Sequence, residues 1–300
     1  MKKLLADIRK HKAVYIMLIP VVAYYILFHY KPMYGIIIAF MDYRPAIGIG
    51  NSAWVGLTHF ESFIHGAYIV RLIRNTLTLS IGSLIWGFPA PIILALLLNE
   101  MEFPRTKKVI QSITYIPHFI STVVACGLII QFCASDGLFN YFVELFGGVR
   151  SPLLGKEDLF APIYIISGIW KQVGWGSIIY LAAISGISPE LYEAARIDGA
   201  GRLRQAWHIT IQGIVPTIVT MLILRMGSIM NIGHEKILLL QNSLNMEKSD
   251  VISTYVYRRG LEDGSFSFST AVGLFNSIVN ILLVVSTNAI SRKLTESSLW

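Results

Sequence analysis

The stretch SPELYEAARIDGAGRLRQAWHITIQGIVPTI, residues 188–218, sets Glu190, Glu193, Arg196, Asp198, Arg202 and Arg204 between two strongly apolar runs. Its local chemistry reads as a helix, a turn and a second helix. Ser188 suits a cap, Pro189 the first helical position, and Glu190 the positive end of the helix dipole. The helix is expected to run through ELYEAARI and stop at Gly199, a residue suited to a left-handed turn. A second short helix, RLRQAWHI, is expected to lead into the next apolar run. What such a charged segment is for depends on the solvent around the rest of the chain.

The 300 residues are 54% hydrophobic and 14% charged, where a soluble domain carries roughly 25% charge. Mean hydropathy is +0.59, and the apolar residues fall in long blocks. So little charge does not cover a water-facing surface, which makes a bilayer the expected solvent and lipid a partner. The net charge of +7 does not point to nucleic acid, because the basic residues form no stripe interleaved with aromatics. They sit in the gaps between apolar blocks, as juxtamembrane anchors do. Cys126 and Cys133 share one apolar block with no CxxC and no His/Cys cluster, so they read as packing residues and no metal site is expected.

A membrane helix needs about 20 mostly apolar residues. The first run, 13–30, reads AVYIMLIPVVAYYILFHY behind Lys2, Lys3, Arg9, Lys10 and Lys12. No small-residue cleavage site follows, so it is expected to be an uncleaved first span. Lys31-Pro32 is expected to interrupt that helix. Five further spans are expected at about 72–98, 109–132, 161–184, 212–235 and 268–290. Pro89 and Pro91 in the second, and Gly168, Gly174 and Gly176 in the fourth, mark kinks or close helix contacts. The expected fold is an all-α polytopic membrane protein. Its parts are a basic segment 1–12, a first span 13–30, an external loop 31–71, a five-span core 72–290 and a tail 291–300.

Six spans put both termini on one side. The gaps on that side, 1–12, 99–108, 185–211 and 291–300, are short and hold most of the basic residues; the opposite gaps, 31–71, 133–160 and 236–267, are longer and less densely basic. The positive-inside rule therefore places both termini and the segment 188–210 in the cytoplasm. There the segment is either a solvated loop or a knob shaped for a partner, and its capping and turn chemistry favour the knob.

EAARIDGA followed by ITIQGIVPTI resembles the EAA signature of bacterial ABC importer permeases. The resemblance implies a type I ABC importer permease fold with six transmembrane helices, in which this segment is a cytoplasmic coupling helix docked into a groove of the ATPase. That role then falls to Glu193, Ala194, Ala195, Asp198, Gly199 and Ala200. Ile211 and Gln212 depart from the usual leucine and proline, a difference that bears on the backbone where span five starts. The runs MLIPVVAYYILFHYKPMYGIIIAF, FPAPIILALLLNE, SITYIPHFIS, IWKQVGWGSIIYLAAISGISPELYEAA and DVISTYVYRRGL are similar to the LplB-type branch of carbohydrate importers, itself related to maltose-type permeases. The resemblance further implies a second homologous permease, two ATP-binding subunits and an extracytoplasmic sugar-binding lipoprotein. Together these would move oligosaccharides or polysaccharide fragments across the bacterial cytoplasmic membrane by alternating access. ATP and Mg would be used by the partner ATPases, with no cofactor in this chain.

The residues themselves weigh against two rivals. No GxxxxGK[ST] phosphate cradle occurs, so the energy comes from another polypeptide or from an ion gradient. An ion-coupled secondary transporter of small polar solutes is the alternative. Such carriers bury carboxylates in their spans, whereas the 18 Asp and Glu fall in gaps or at span ends, with Glu235 the nearest approach. An intramembrane enzyme needs a nucleophile–base pair or metal ligands at matched depth. The seven histidines are scattered without HExxH, and no catalytic residue is assigned. His118, after Pro117, reads as a hydrogen-bonded structural residue. Aromatics in VGLTHFESFI, LFNYFVELFGG and YVYRRGLEDGSFSFST read equally as a receptor-docking face or as interfacial anchors.

Two charges stand inside apolar runs. At about 1.5 Å per residue, Lys171 lies roughly 15 Å into span four, and Arg225 lies as far in from the Glu235 end of span five. Both depths are near the middle of a core about 30 Å thick. A charge left in lipid costs at least roughly 2.5–3.5 kcal/mol, so each is expected to face a wet cavity or a partner. Either they bond backbone carbonyls where helices kink, or they line a translocation path and hold sugar hydroxyls or a uronate carboxylate.

Overall fold

The computed structural model describes residues 10–295; the expectations for Lys2, Lys3, Arg9 and the last five residues lie outside the described residues. Among the described residues, five helical segments are long and apolar enough to cross a membrane: Lys12–Phe40, Ile69–Asn99, Thr122–Leu145, Arg202–Met226 and Phe266–Lys293. The chain divides into two compact units, one formed by the chain up to His65 with Arg258–Phe275, the other by Gly66–Tyr257 with the chain from Asn276.

In the first unit the opening helix does not stop at Lys31-Pro32 as expected. The α turns Lys12–Tyr25 widen into a π turn, Ile26–Tyr30, and helix continues through Lys31–Met33 into 3-10 turns, Tyr34–Phe40. A proline clashes with the carbonyl four residues back, here that of Phe28, and the wider turn gives that carbonyl room. The side chains along this helix are almost all exposed, as those of a helix bathed in lipid are. The segment expected as an external loop carries short elements of its own, within a chain that is largely helical. Met41–Asp42 pairs antiparallel with Ala53–Trp54, Phe40 stacks on Trp54 with ring centres 5.8 Å apart, and the Tyr43 amide donates to Ser267 Oγ at 2.9 Å. A short helix, Thr58–Ile64, buries Phe63 edge-on to Phe268 and Phe275.

In the second unit, Ile69–Gly87 and Pro89–Asn99 meet at Phe88, whose backbone stays helical, so Pro89 and Pro91 do not end the span. The span expected at 109–132 is two helices, Pro104–Phe119 and Thr122–Cys133. Pro117 weakens the end of the first and Ile120 is extended; Ser121 Oγ then accepts the Val124 amide at 3.2 Å and caps the second. Glu157–Ser185 is one unbroken helix of 29 residues. It is not among the five most apolar segments, because Lys171 and Gln172 interrupt its hydropathy. Its glycines are contact points rather than kinks. A Cβ on Gly174 would lie 2.9 Å from Tyr115 Cδ1 and closer still to the Thr114 carbonyl, and one on Gly176 would lie 3.0 Å from Pro91 Cγ.

The fifth span differs at both ends from the expected 212–235. Arg202–Gln205 runs through a π turn, Ala206–Thr210, directly into Ile211–Met226, so RLRQAWHI is no separate helix. The π turn abuts Ile211 and Gln212, the two positions that depart from the EAA pattern. The helix then stops at Met226, and Gly227, Ser228, Asn231 and Gly233 carry the chain to a separate short helix, His234–Leu240. Ile237 and Leu240 of that helix pack with Cys126, Cys133, Phe160 and Val251 in one buried cluster. Both cysteines are thus free packing residues, as their surroundings in the sequence indicated. The last helix runs Phe266–Thr295.

Candidate functional site

The long Glu157–Ser185 helix places Lys171 at its midpoint, and the Ile211–Met226 helix places Arg225 in its last turn rather than well inside a longer span. Both nevertheless line one cavity of about 400 Å³, with Tyr164, Gln172, Glu235 and Lys236 also on its wall. Lys171 Nζ donates to Thr122 Oγ1 at 3.1 Å, so the break that opens the Thr122–Cys133 helix supplies its anchor. One turn of backbone away, His118 Nδ1 lies 3.1 Å from Gln172 Oε1 and its ring stacks on Trp175 at 4.4 Å, the structural role expected of it.

Sequence reasoning missed Lys236. It stands in the first turn of His234–Leu240, where its Nζ donates to the Tyr164 carbonyl at 2.7 Å and sits 4.3 Å from the centre of the Tyr164 ring. Gly168 lies alongside, where a Cβ would be in ordinary contact with Nζ at 3.4 Å. The signal was a Glu-Lys pair just past the turn at residues 227–233, and hydropathy alone left Lys236 in the gap beyond span five.

The connection that carries Lys236 is tied to the second span by a polar clamp that the sequence did not reveal. Asp250, 0% exposed, accepts from Arg71 Nη2 at 2.9 Å, and Arg71 Nη1 donates to Glu247 at 3.0 Å. Asn75 Nδ2 donates to the Glu247 and Asp250 carbonyls at 2.8 and 2.9 Å, and the Ile252 amide donates to Thr76 Oγ1 at 3.0 Å. Every one of these contacts joins residues more than 170 positions apart.

The opening segment forms a helix, Pro189–Ile197, with Ser188 at the N-cap position but no amide bonded to its hydroxyl. Its end closes in a double backbone bond: the Gly199 amide donates to the Arg196 carbonyl at 3.0 Å and the Ala200 amide to the Ala195 carbonyl at 2.8 Å. That closure needs a left-handed residue, and Gly199 has φ +74°. Glu193, Ala194 and Asp198 are exposed. Ile197 and Leu203, flanking the turn, are 87% and 88% exposed, an unusual state for large apolar side chains outside lipid. Arg202 is ion-paired with Glu102, and a second cavity of about 650 Å³ opens beside Glu100, Glu193, Arg196 and Gln205. Among the described residues no three His, Cys, Asp or Glu gather as a metal site.

A largely helical chain with several apolar spans, whose stray charges converge on a cavity, has the build of a membrane transport component. The sequence profile of the family described as "Binding-protein-dependent transport system inner membrane component" matches residues 87–296, and the chain belongs to that family. Over 300 residues it is 45% identical to the polygalacturonan/rhamnogalacturonan transport system permease protein YteP of Bacillus subtilis, covering all of this chain and 94% of that one. It is 43% identical over 297 residues to protein LplB of the same organism, covering 99% and 93% of the two chains, which agrees with the branch seen in the sequence. A chain in the crystal structure of a bacterial alginate ABC transporter, in complex with an alginate pentasaccharide-bound periplasmic protein, superimposes with a TM-score of 0.91. It is 41% identical, with 99% of this chain and 100% of that chain covered. The chain is thus a membrane-embedded ABC permease, a transport component of a binding-protein-dependent system.

Proposed function

We propose that this permease serves an ATP-driven importer of oligosaccharides or polysaccharide fragments, and that its substrate passes the cavity lined by Lys171 and Arg225. The observation that carries the reading is the convergence of these two charges, from separate helices, on one cavity; the substrates named for YteP and for the alginate transporter support the saccharide class. In this reading Glu157–Ser185 joins the five more apolar segments as span four, completing six transmembrane helices. Its 29 residues are more than the about 20 that a bilayer core requires, and its polar midpoint faces the cavity rather than lipid. Both termini are cytoplasmic, and the helix Pro189–Ile197 with its Gly199 turn is the coupling helix. The exposed Ile197 and Leu203 support that role, since a docked ATPase would cover them. The partners are a second homologous permease, two ATPases that use ATP and Mg, and an extracytoplasmic sugar-binding lipoprotein. ATP-driven closure of the ATPases moves the coupling helix, and the spans reorient around the cavity.

Substituting Lys171→Met and Arg225→Gln at matched membrane expression tests the path. Uptake of acidic or neutral oligosaccharides is expected to fall at least several-fold in each. Unchanged rate and affinity for every transported sugar would leave both residues structural.

A further inference from the structure

We infer that Lys236, carried by the connection between the fifth and sixth spans, determines specificity by binding the carboxylate of an acidic sugar unit in the cavity. The inference rests on the importer reading above. The wall holds three cations, Lys171, Arg225 and Lys236, against one carboxylate, Glu235. Among the described residues, neither Arg225 nor Glu235 has an ion-pair partner, and the Arg225 guanidinium has no hydrogen bond. The cavity therefore presents an excess of positive charge and of N–H donors. A sugar hydroxyl both donates and accepts, so a neutral ring needs acceptors in comparable number; a carboxylate only accepts. The wall also carries the hydroxyls of Ser83, Thr122, Tyr164 and Tyr180, which accept as well as donate, so it is the excess of positive charge that favours a carboxylate over a neutral ring of hydroxyls.

Lys236 is the most firmly placed of the three cations. One of its three ammonium N–H groups is held by the Tyr164 carbonyl at 2.7 Å, and the Tyr164 ring lies beneath it. Two donors remain for the cavity. Its helix is pinned by the burial of Ile237 and Leu240, both nearly inaccessible. Its ammonium is thus held in place before substrate arrives, and little freedom is lost on binding.

The test uses the complete importer, with its second permease, ATPases and binding protein, in proteoliposomes. Lys236→Met, Lys236→Gln and Lys236→Arg are compared for uptake of an oligogalacturonate and of a neutral arabino-oligosaccharide, at matched permease content and melting temperature. Glutamine keeps a donor for the Tyr164 carbonyl without the charge, and arginine keeps both. The expected result is a loss of about tenfold or more in oligogalacturonate uptake for Met and Gln, in line with a lost charged hydrogen bond, with Arg within about threefold of wild type. Wild-type uptake in the Gln variant, or an Arg variant as impaired as Met, would overturn the inference and leave the importer reading intact. So would a wild-type importer that carries only the neutral sugar. A wild-type importer that carries neither sugar would overturn the importer reading, and this inference with it.

Discussion

Asp250→Asn is expected to destabilise the permease more than any other single isosteric change in the connection between spans five and six. Asp250 is fully buried, and its two oxygens are used separately: Oδ2 accepts from Arg71 at 2.9 Å and Oδ1 from Thr254 Oγ1 at 3.0 Å. Asparagine keeps the size and one acceptor but removes the charge that pairs with Arg71 and turns the other acceptor into a donor. Breaking one side of a buried ion pair costs about 3–5 kcal/mol. Here Arg71 is 22% exposed and keeps Glu247 at 3.0 Å, so a loss of about 2–3 kcal/mol is the working figure once that residual pairing and solvation are discounted. Cys126 and Cys133, both free and buried, provide the assay: a dye that fluoresces on reacting with thiols reports their exposure as the purified protein is heated. The Asp250→Asn transition should fall by several degrees, whereas Arg71→Met combined with Asp250→Leu should lose clearly less than the sum of its parts, with a coupling of about 1 kcal/mol or more. A wild-type transition for Asp250→Asn, or strict additivity in the double variant, would refute the clamp.

Gly174→Ala forces a methyl group against the Thr114 carbonyl and Tyr115. It should destabilise by about 1–3 kcal/mol in the same thiol assay, because the obstacle is backbone and cannot rotate away. Gly199→Pro cannot adopt the left-handed φ of +74° and removes the amide bonded to Arg196, so it should uncouple uptake from ATP hydrolysis while the protein still inserts. Gly199→Asn, which tolerates that conformation, should retain most of its activity. Glu193→Lys reverses an exposed charge on the same knob and should also uncouple; normal uptake and normal substrate-stimulated ATPase activity in both Glu193→Lys and Gly199→Pro would mean the segment is only a loop.

The spans were legible because a run of about 20 apolar residues has few other soluble or membrane readings, and the helix Pro189–Ile197 was legible because Pro189 and Gly199 mark its two ends. The breaks were harder to see. Hydropathy passes smoothly over Ile120 and Ser121, where the backbone becomes extended between two helices, and it carries span five to Glu235 although Gly227, Asn231 and Gly233 already mark a turn. Pro32 misled in the opposite direction, since a π turn at Ile26–Tyr30 absorbs the clash that would otherwise end the helix. Lys171 and Arg225 stood out because a charge inside an apolar run has to be explained. Lys236 did not, because its partner Tyr164 is 72 residues away in sequence. Arg71 sits at the edge of an apolar run and Asp250 in the gap 236–267, where a charge calls for no explanation, and only the fold brings them together.

The most direct test of the account is the energy source of uptake. The permease is reconstituted with its second permease, ATPases and binding protein, with ATP inside the vesicles and oligogalacturonate outside with the binding protein. Uptake is then measured with ionophores that collapse every ion gradient. An importer permease predicts uptake that needs both ATP and the binding protein and continues when the gradients are gone. Uptake that runs without ATP and stops with the ionophores would contradict the account and point to an ion-coupled carrier.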